Sequence, residues 1–230
     1  MSRIAVVGAS GRTGSALSAA LIGRGHDVLA LCRTAPAGRT GSLEHRPTDV
    51  LDPVEVRTGL AGADAVVVAL GISENPLAVR LRGARETAGT VRSQGTRHVV
   101  QAMGEHGVRR LVVLSSYGVG DSWSGLSSPM KLIIGALLRP QFRDHEEQEG
   151  VVRNSGLDWT IARPVNLRDA DSGGTRSAGP DPAGPVRGPL VADPHMRTVS
   201  MDVGRGQVAD QLAEWVTSDA DTGRTVALSS

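Results

Sequence analysis

Cysteine occurs once in the 230-residue sequence, as Cys32. That excludes an intrachain disulfide and a zinc cage built from thiolates, and it suits a reducing compartment, so a cytoplasmic location is expected. Aromatic residues are equally scarce. Tyr117, Trp123, Phe142, Trp159 and Trp215 make up 2% of the chain, too few to stack nucleobases along a groove or to wall in a permanently bound flavin. Long hydrophobic runs are missing: the longest, Leu132 to Leu138, is far too short to cross a bilayer, and the opening MSRIAVVGAS gives no expectation of a leader segment. Charge of one sign is missing too. Lys+Arg number 25 and Asp+Glu 24, a formal charge of +1, so neither nucleic acid nor a membrane surface is an expected partner, and any anionic ligand must be held by a local site. Lysine itself appears once, as Lys131; the other basic residues are arginine, so a lone arginine carries little weight.

What is present suits a globular chain of one domain with a sizeable core, at 40% hydrophobic and 21% charged residues. Arg3 to Val7 is a short apolar run ending at Gly8, and Thr13 to Ile22 has the small and apolar residues of a buried helix. Further runs at Asp27–Leu31, Ala65–Leu70, Arg110–Leu114, Trp159–Ala162 and Arg224–Leu228 are continuously apolar rather than alternating, which indicates strands covered on both faces. Helical stretches fall between them: about Gly89 to Glu105, a charged helix from Phe142 to Asn154 that follows a separate apolar helix opened by Lys131, and Asp202 to Trp215. Met103, Met130 and Met201 read as core filler. Strands separated by helices imply right-handed βαβ units, so the expected class is α/β with a doubly wound parallel sheet. From Pro164 to about Pro194 the chain is dense in Gly, Pro and Ser and reads as loop, the expected seat of a small C-terminal substrate lobe over residues 164–200.

Gly8-Ala9-Ser10-Gly11-Arg12-Thr13-Gly14 places glycines in a GxxGxxG pattern between the first strand and the first helix. Gly8 suits a tight turn, Gly11 lets backbone approach a pyrophosphate, Gly14 allows close packing of helix on sheet, and N–H groups at the helix start face the anion, with Ser10, Arg12 and Thr13 beside it. At the end of the second strand an acid would select the ribose hydroxyl of NAD. This chain has Leu31-Cys32-Arg33-Thr34 instead, so Arg33, with Arg12 in support, is expected to meet the 2′-phosphate of NADP(H). Asp49 and Val50 follow the next strand, where the adenine lies. Asp52, before Pro53, is equally suited to capping a helix. Leu70 and Gly71 sit at the carboxyl edge of the following strand, at the expected switch point.

VVGASGRTG, ALCRT, DVLDP, VVVALG, LVVLSS and above all DHEEQEGVVRNSGLDWTIARPVNL resemble the NmrA-like and biliverdin IXβ/flavin reductase-like branch of the atypical short-chain dehydrogenases, over nearly the whole chain. The resemblance implies a Rossmann domain with a small C-terminal substrate lobe and NADP(H) as cofactor. The chain departs from ordinary short-chain dehydrogenases in lacking their Tyr-x-x-x-Lys pair: four residues after Tyr117 stands Asp121, and Lys131 is fourteen residues away. The usual carbonyl-reductase mechanism is therefore not expected. Candidates that remain are Ser115 or Ser116 for the nicotinamide carboxamide or a substrate oxygen, Tyr117 as a proton donor, and His145, which aligns with an Asp-His pair of the biliverdin IXβ reductase-like proteins and suits a proton relay near neutral pH, though a histidine on so charged a helix is more often solvated. Pro164 is expected beside the nicotinamide, and His195 and Met196 either line the pocket or lie in a surface loop. No metal-ligand spacing occurs.

The function expected is an NADPH-dependent reductase that transfers hydride to a small organic acceptor, a flavin, a quinone or a conjugated carbonyl compound. Two rivals are a non-catalytic NADP(H)-binding redox sensor of the NmrA-like type and an epimerase or isomerase that uses its cofactor transiently. A small-molecule substrate is the expected partner, with the chain acting as a monomer or a homodimer.

Overall fold

Strong apolar runs build the centre of the sheet. The computed structural model describes residues 1–34, 37–71, 89–169 and 189–230. Along the chain its strands are β1 (Arg3–Val7), β2 (Asp27–Cys32), β3 (Gly38–Thr40), β4 (Leu43–Pro47), β5 (Ala65–Val68), β6 (Arg110–Leu114), β7 (Asp158–Pro164), β8 (Asn166–Arg168), β9 (Val191–Asp193), β10 (Asp202–Gly204) and β11 (Arg224–Ser229). Nine of them form one sheet in the order β3-β4-β2-β1-β5-β6-β7-β11-β9, parallel except for the short edge strands β3 and β9. The strand order reverses at β1, which pairs with β2 on one side and with β5 on the other. This is a Rossmann-type doubly wound sheet.

Alternate side chains of each strand feed two cores. Ile4, Val6, Val28, Ala30 and Val67 face Leu17 and Leu21 of α1 (Arg12–Gly23) together with residues of the last helix. Ala5, Val7, Leu29, Leu31, Val66 and Val68 face the opposite layer, formed by α2 (Pro53–Leu60), α3 (Val91–His106) and the helix Arg139–Arg153. Both faces of the sheet are thus covered, which is why its central strands carry no alternation of polar residues. At the start of α2 the Asp52 carboxylate accepts the N–H groups of Val54 and Glu55 at 2.8 and 3.2 Å, with Pro53 at the first helical position. Asp52 is therefore a helix cap.

Three expectations are corrected. The apolar and charged helices are one continuous helical run: α4 (Ser128–Ile133), a π-helical turn (Ile134–Leu138) and α5 (Arg139–Arg153). Pro140 has no N–H to donate and its ring crowds the carbonyl four residues back, which accounts for the widened turn before it. The stretch from Asp202 to Trp215 is not all helix. Asp202–Gly204 is β10, paired in parallel with β8 apart from the main sheet, and α6 begins at Arg205 and ends at Val216, with Gln207 Oε1 accepting the Gly204 N–H at 3.0 Å. Finally, the stretch after Pro164 contains β8 and β9 as well as loop. Much of the lobe expected over 164–200 lies outside the described residues. Leu212 and Trp215 of α6 complete the core over α1.

Candidate functional site

A cleft of about 900 Å³ opens along the carboxyl edge of the sheet where the strand order reverses, the place where open α/β sheets bind ligands. Of the candidate site residues named above, Asp52, His195, Met196 and Gly14 stand outside its lining and the others line it. Gly14 instead supports the loop from behind: a Cβ there would lie 2.2 Å from the Gly8 carbonyl oxygen. Gly8 turns the chain with a φ of +88°, a left-handed conformation that favours glycine, and a Cβ on it would meet the Ala69 carbonyl oxygen at 2.7 Å. The Gly8 and Ala9 N–H groups donate to the Leu31 carbonyl at 3.0 and 3.2 Å, which ties the loop to the end of β2. Gly11 caps α1 without any side-chain hydrogen bond, so the N–H groups of the first helical turn are left for an anion. The backbone of this loop fits a dinucleotide phosphate.

The phosphate side of the cleft is rich in arginine. Arg33 lines it just beyond β2, whose own end carries no acid. Arg12 also lines it, and its Nη1 donates to Asp169 at 2.7 Å. The same carboxylate accepts from Arg205 Nε at 2.5 Å, while Arg205 Nη1 donates to Thr13 Oγ1 at 2.9 Å. These two arginines, Arg205 foremost, hold the Asp169 carboxyl below the usual carboxylate range. Arg205 escaped the sequence reading because residues 202–215 read as an unbroken helix. Asp49 is turned into its own loop: Oδ1 accepts the Leu51 N–H at 3.0 Å, and its N–H donates to Glu55 at 2.6 Å. Val50 presents its carbonyl to His98 Nδ1 at 3.0 Å.

At the opposite end, Ser115 and Tyr117 follow β6 and Pro164 closes β7. Here a buried charge network that the sequence did not reveal fixes the geometry. Glu149, fully buried on α5, accepts Arg163 Nε at 2.9 Å and Nη2 at 2.7 Å, the Ser115 hydroxyl at 2.6 Å and Arg153 at 2.6 Å. Arg163 Nη1 reaches Asp121 in the 3-10 turn Gly120–Gly125. Burial works against the Arg163 charge, but the hydrogen bonds it donates to Glu149 and Asp121, and the charges of those carboxylates, outweigh it and hold its pKa above the ordinary value. Asp121 is thus the partner of Arg163, and the Tyr117 hydroxyl donates instead to the Met196 carbonyl at 3.1 Å. Ser116 Oγ donates to the Tyr117 carbonyl at 3.2 Å. His195 is exposed and stands outside the cleft lining, whereas Met130 and Met201, read as core filler, line it.

His145 is buried rather than solvated. It is 8% exposed, its Nδ1 meets Gln148 Oε1 at 3.3 Å, and burial, aided by the nearby Arg92 charge, pushes its pKa down to about 3. Gln148 spends its amide N–H on Thr96 Oγ1 at 3.0 Å, so its oxygen accepts, His145 Nδ1 carries the proton, and Nε2 is left as an acceptor. Below pH 6.5 the unfolded imidazole takes up a proton that the folded one refuses until about 3. This part of the stability is therefore complete above pH 6.5 and lost as the pH falls, by about 2 kcal/mol at pH 5. His145→Leu is expected to shrink the stability difference between pH 7 and pH 5 by that amount in urea denaturation; equal differences in both proteins would contradict a neutral buried His145.

A family model described as NAD(P)H-binding matches residues 8–219. An uncharacterized protein of Mycobacterium tuberculosis is 39% identical over 64 residues, which cover 28% of this chain and 8% of the relative, so the match spans a small part of that longer protein. Three solved structures share the fold over almost the entire chain. One, a Bacillus halodurans protein provisionally assigned as an NAD-dependent epimerase/dehydratase, is 23% identical, covers 99% of this chain and 94% of its own, and has a TM-score of 0.72. A wide-type short-chain dehydrogenase/reductase of Veillonella parvula, in complex with NADP, is 15% identical, with coverage of 100% and 94% and a TM-score of 0.73. The anaerobillin reductase ChuY of Escherichia coli O157:H7 is 19% identical, with coverage of 98% and 96% and a TM-score of 0.68. At these identities the likeness is one of fold.

Proposed function

Since the chain belongs to the NAD(P)H-binding family, we propose that it is an NADPH-dependent reductase that passes hydride to a flat, conjugated acceptor such as a flavin, a quinone or a conjugated carbonyl compound. The observation that carries this reading is the lining of the cleft, which combines the glycine loop and its arginines with an apolar stretch. That stretch is the helical run at four-residue spacing, Met130, Ile134, Leu138 and Phe142, together with Leu126 and Met201. The glycine loop and arginines suit a dinucleotide, and the apolar stretch suits an apolar acceptor. Arg33, in the place where an acid would favour NAD, supports NADPH over NADH.

When bound, the cofactor supplies the hydride; this chain orients and shields. Ser115 gives its proton to Glu149, so its Oγ faces the cleft as an acceptor for an amide N–H such as a carboxamide. The Tyr117 proton is engaged by the Met196 carbonyl, and His145 is neutral. With these three groups committed, the acceptors best served are those whose reduced form spreads its negative charge and takes a proton from solvent. Absorbance of NADPH is to be followed with free flavin, a quinone, an enone and a simple aldehyde. Consumption with at least one of the three conjugated acceptors and little with the aldehyde is expected. Binding of NADPH with no consumption by any acceptor would overturn the reductase reading in favour of a redox sensor or an epimerase.

A further inference from the structure

Arg92 stands in the first turn of α3, is 6% exposed and lines the cleft. Its Nε and Nη1 have no hydrogen-bond partner among the described residues. The facing carboxylate, Asp144 of α5, forms an ion pair with Nη1 at 3.6 Å, too long for a hydrogen bond. Asp144 is occupied elsewhere: its oxygens accept the backbone N–H groups of Arg92 and Ser93 at 3.1 and 3.0 Å, so part of its charge is spent on the start of α3. A guanidinium buried with idle donors is unfavourable unless an oxyanion completes it. Its planar fork matches a carboxylate, which it can hold by two parallel hydrogen bonds. Beside it His145 lines the same wall and presents Nε2 as an acceptor.

The cofactor phosphates are served elsewhere. The glycine loop leads into α1, which packs on one face of the sheet, whereas α3 and α5 pack on the other. Arg92 therefore faces the cleft from across the sheet edge. We propose that Arg92 is the acceptor-recognition residue of the cleft and binds a carboxylate carried by the conjugated substrate. This rests on the reductase reading above and narrows its substrate class to acceptors that combine a flat apolar body with an anionic oxygen group.

Benzoate is the probe, with benzamide as its uncharged counterpart, each titrated calorimetrically into protein saturated with NADP+. Wild type is expected to bind benzoate and to prefer it over benzamide. Arg92→Met is expected to lose at least about tenfold in benzoate affinity while leaving benzamide and NADPH affinities within about twofold; Arg92→Lys, which keeps the charge without the fork, should fall between. The melting temperature of Arg92→Met is expected to fall, because the variant leaves Asp144 buried without its ion-pair partner; unchanged benzamide and NADPH affinities show that the variant is folded and its cleft intact. Absence of benzoate binding to wild type, equal binding to Arg92→Met, or a parallel loss of NADPH affinity in that variant would each overturn the proposal while leaving the reductase reading standing. Failure of wild type to bind NADPH at all would remove both.

Discussion

Glu149→Gln is expected to destabilise the fold by about 3–5 kcal/mol, the usual consequence of stranding a buried charge. Glu149 is fully buried and Arg163 is 1% exposed. An amide in place of the carboxylate keeps the shape, but it can accept on only one of its two atoms and carries no charge to balance the guanidinium. Arg163 cannot shed its proton, so it stays charged with two of its hydrogen bonds to Glu149 compromised. Removing both partners is the discriminating case. Glu149→Met combined with Arg163→Met should recover most of the loss, since the pair's own desolvation disappears with it. Urea unfolding of the single and double variants checks this, and a double variant as unstable as the sum of its parts would show that the pair is not the unit of stability. The exposed Arg143–Glu147 pair on the same helix should contribute little, as solvent and salt screen it.

Gly14→Ala should cost at least about a hundredfold in NADPH affinity, equivalent to about 2.7 kcal/mol. The added methyl would sit 2.2 Å from the Gly8 oxygen and 2.9 Å from the Ala9 Cα. Both are backbone atoms that cannot swing aside, so the loop and the start of α1 must part, and the N–H groups aimed at the phosphates move with them. Gly104→Ala is the control. It lies in α3, and its methyl would meet nothing within 4 Å, so NADPH affinity should stay within about twofold of wild type. A Gly14→Ala protein that binds NADPH as wild type does would mean that the cofactor's phosphates do not rest on this loop.

How legible the site was depended on whether its parts are local in sequence. The glycine loop, the end of β2 and the edge of β5 each announce themselves within a few residues, because the strand, turn and helix that build them are adjacent. Gly8 and Gly14 could be assigned different duties before any coordinates. Glu149 and Arg163 could not be paired: one reads as a charge on a charged helix, the other as a strand end, and only the packing of α5 against β7 buries both. Arg92 was indistinguishable from the other arginines, since its significance lies in its burial at the edge of the cleft. His145 looked solvated for the same reason that Glu149 looked solvated: the helix alternates exposed Arg143, Glu146 and Glu147 with buried Asp144, His145, Gln148 and Glu149. The β8–β10 pair joins residues 166–168 to 202–204, a separation at which three-residue strands leave no pattern, and this is why the helix at Arg205 seemed to start too early.

The most direct test of the central claim, that this cleft is an NADP(H) site, is calorimetric titration of wild type and Arg33→Ala with NADPH and with NADH. Wild type should bind NADPH at least about tenfold more tightly than NADH, and Arg33→Ala should lose most of that preference through NADPH alone. Equal losses of both dinucleotides in the variant would remove Arg33 from the 2′-phosphate, and wild type that binds neither would contradict the assignment of the cleft altogether.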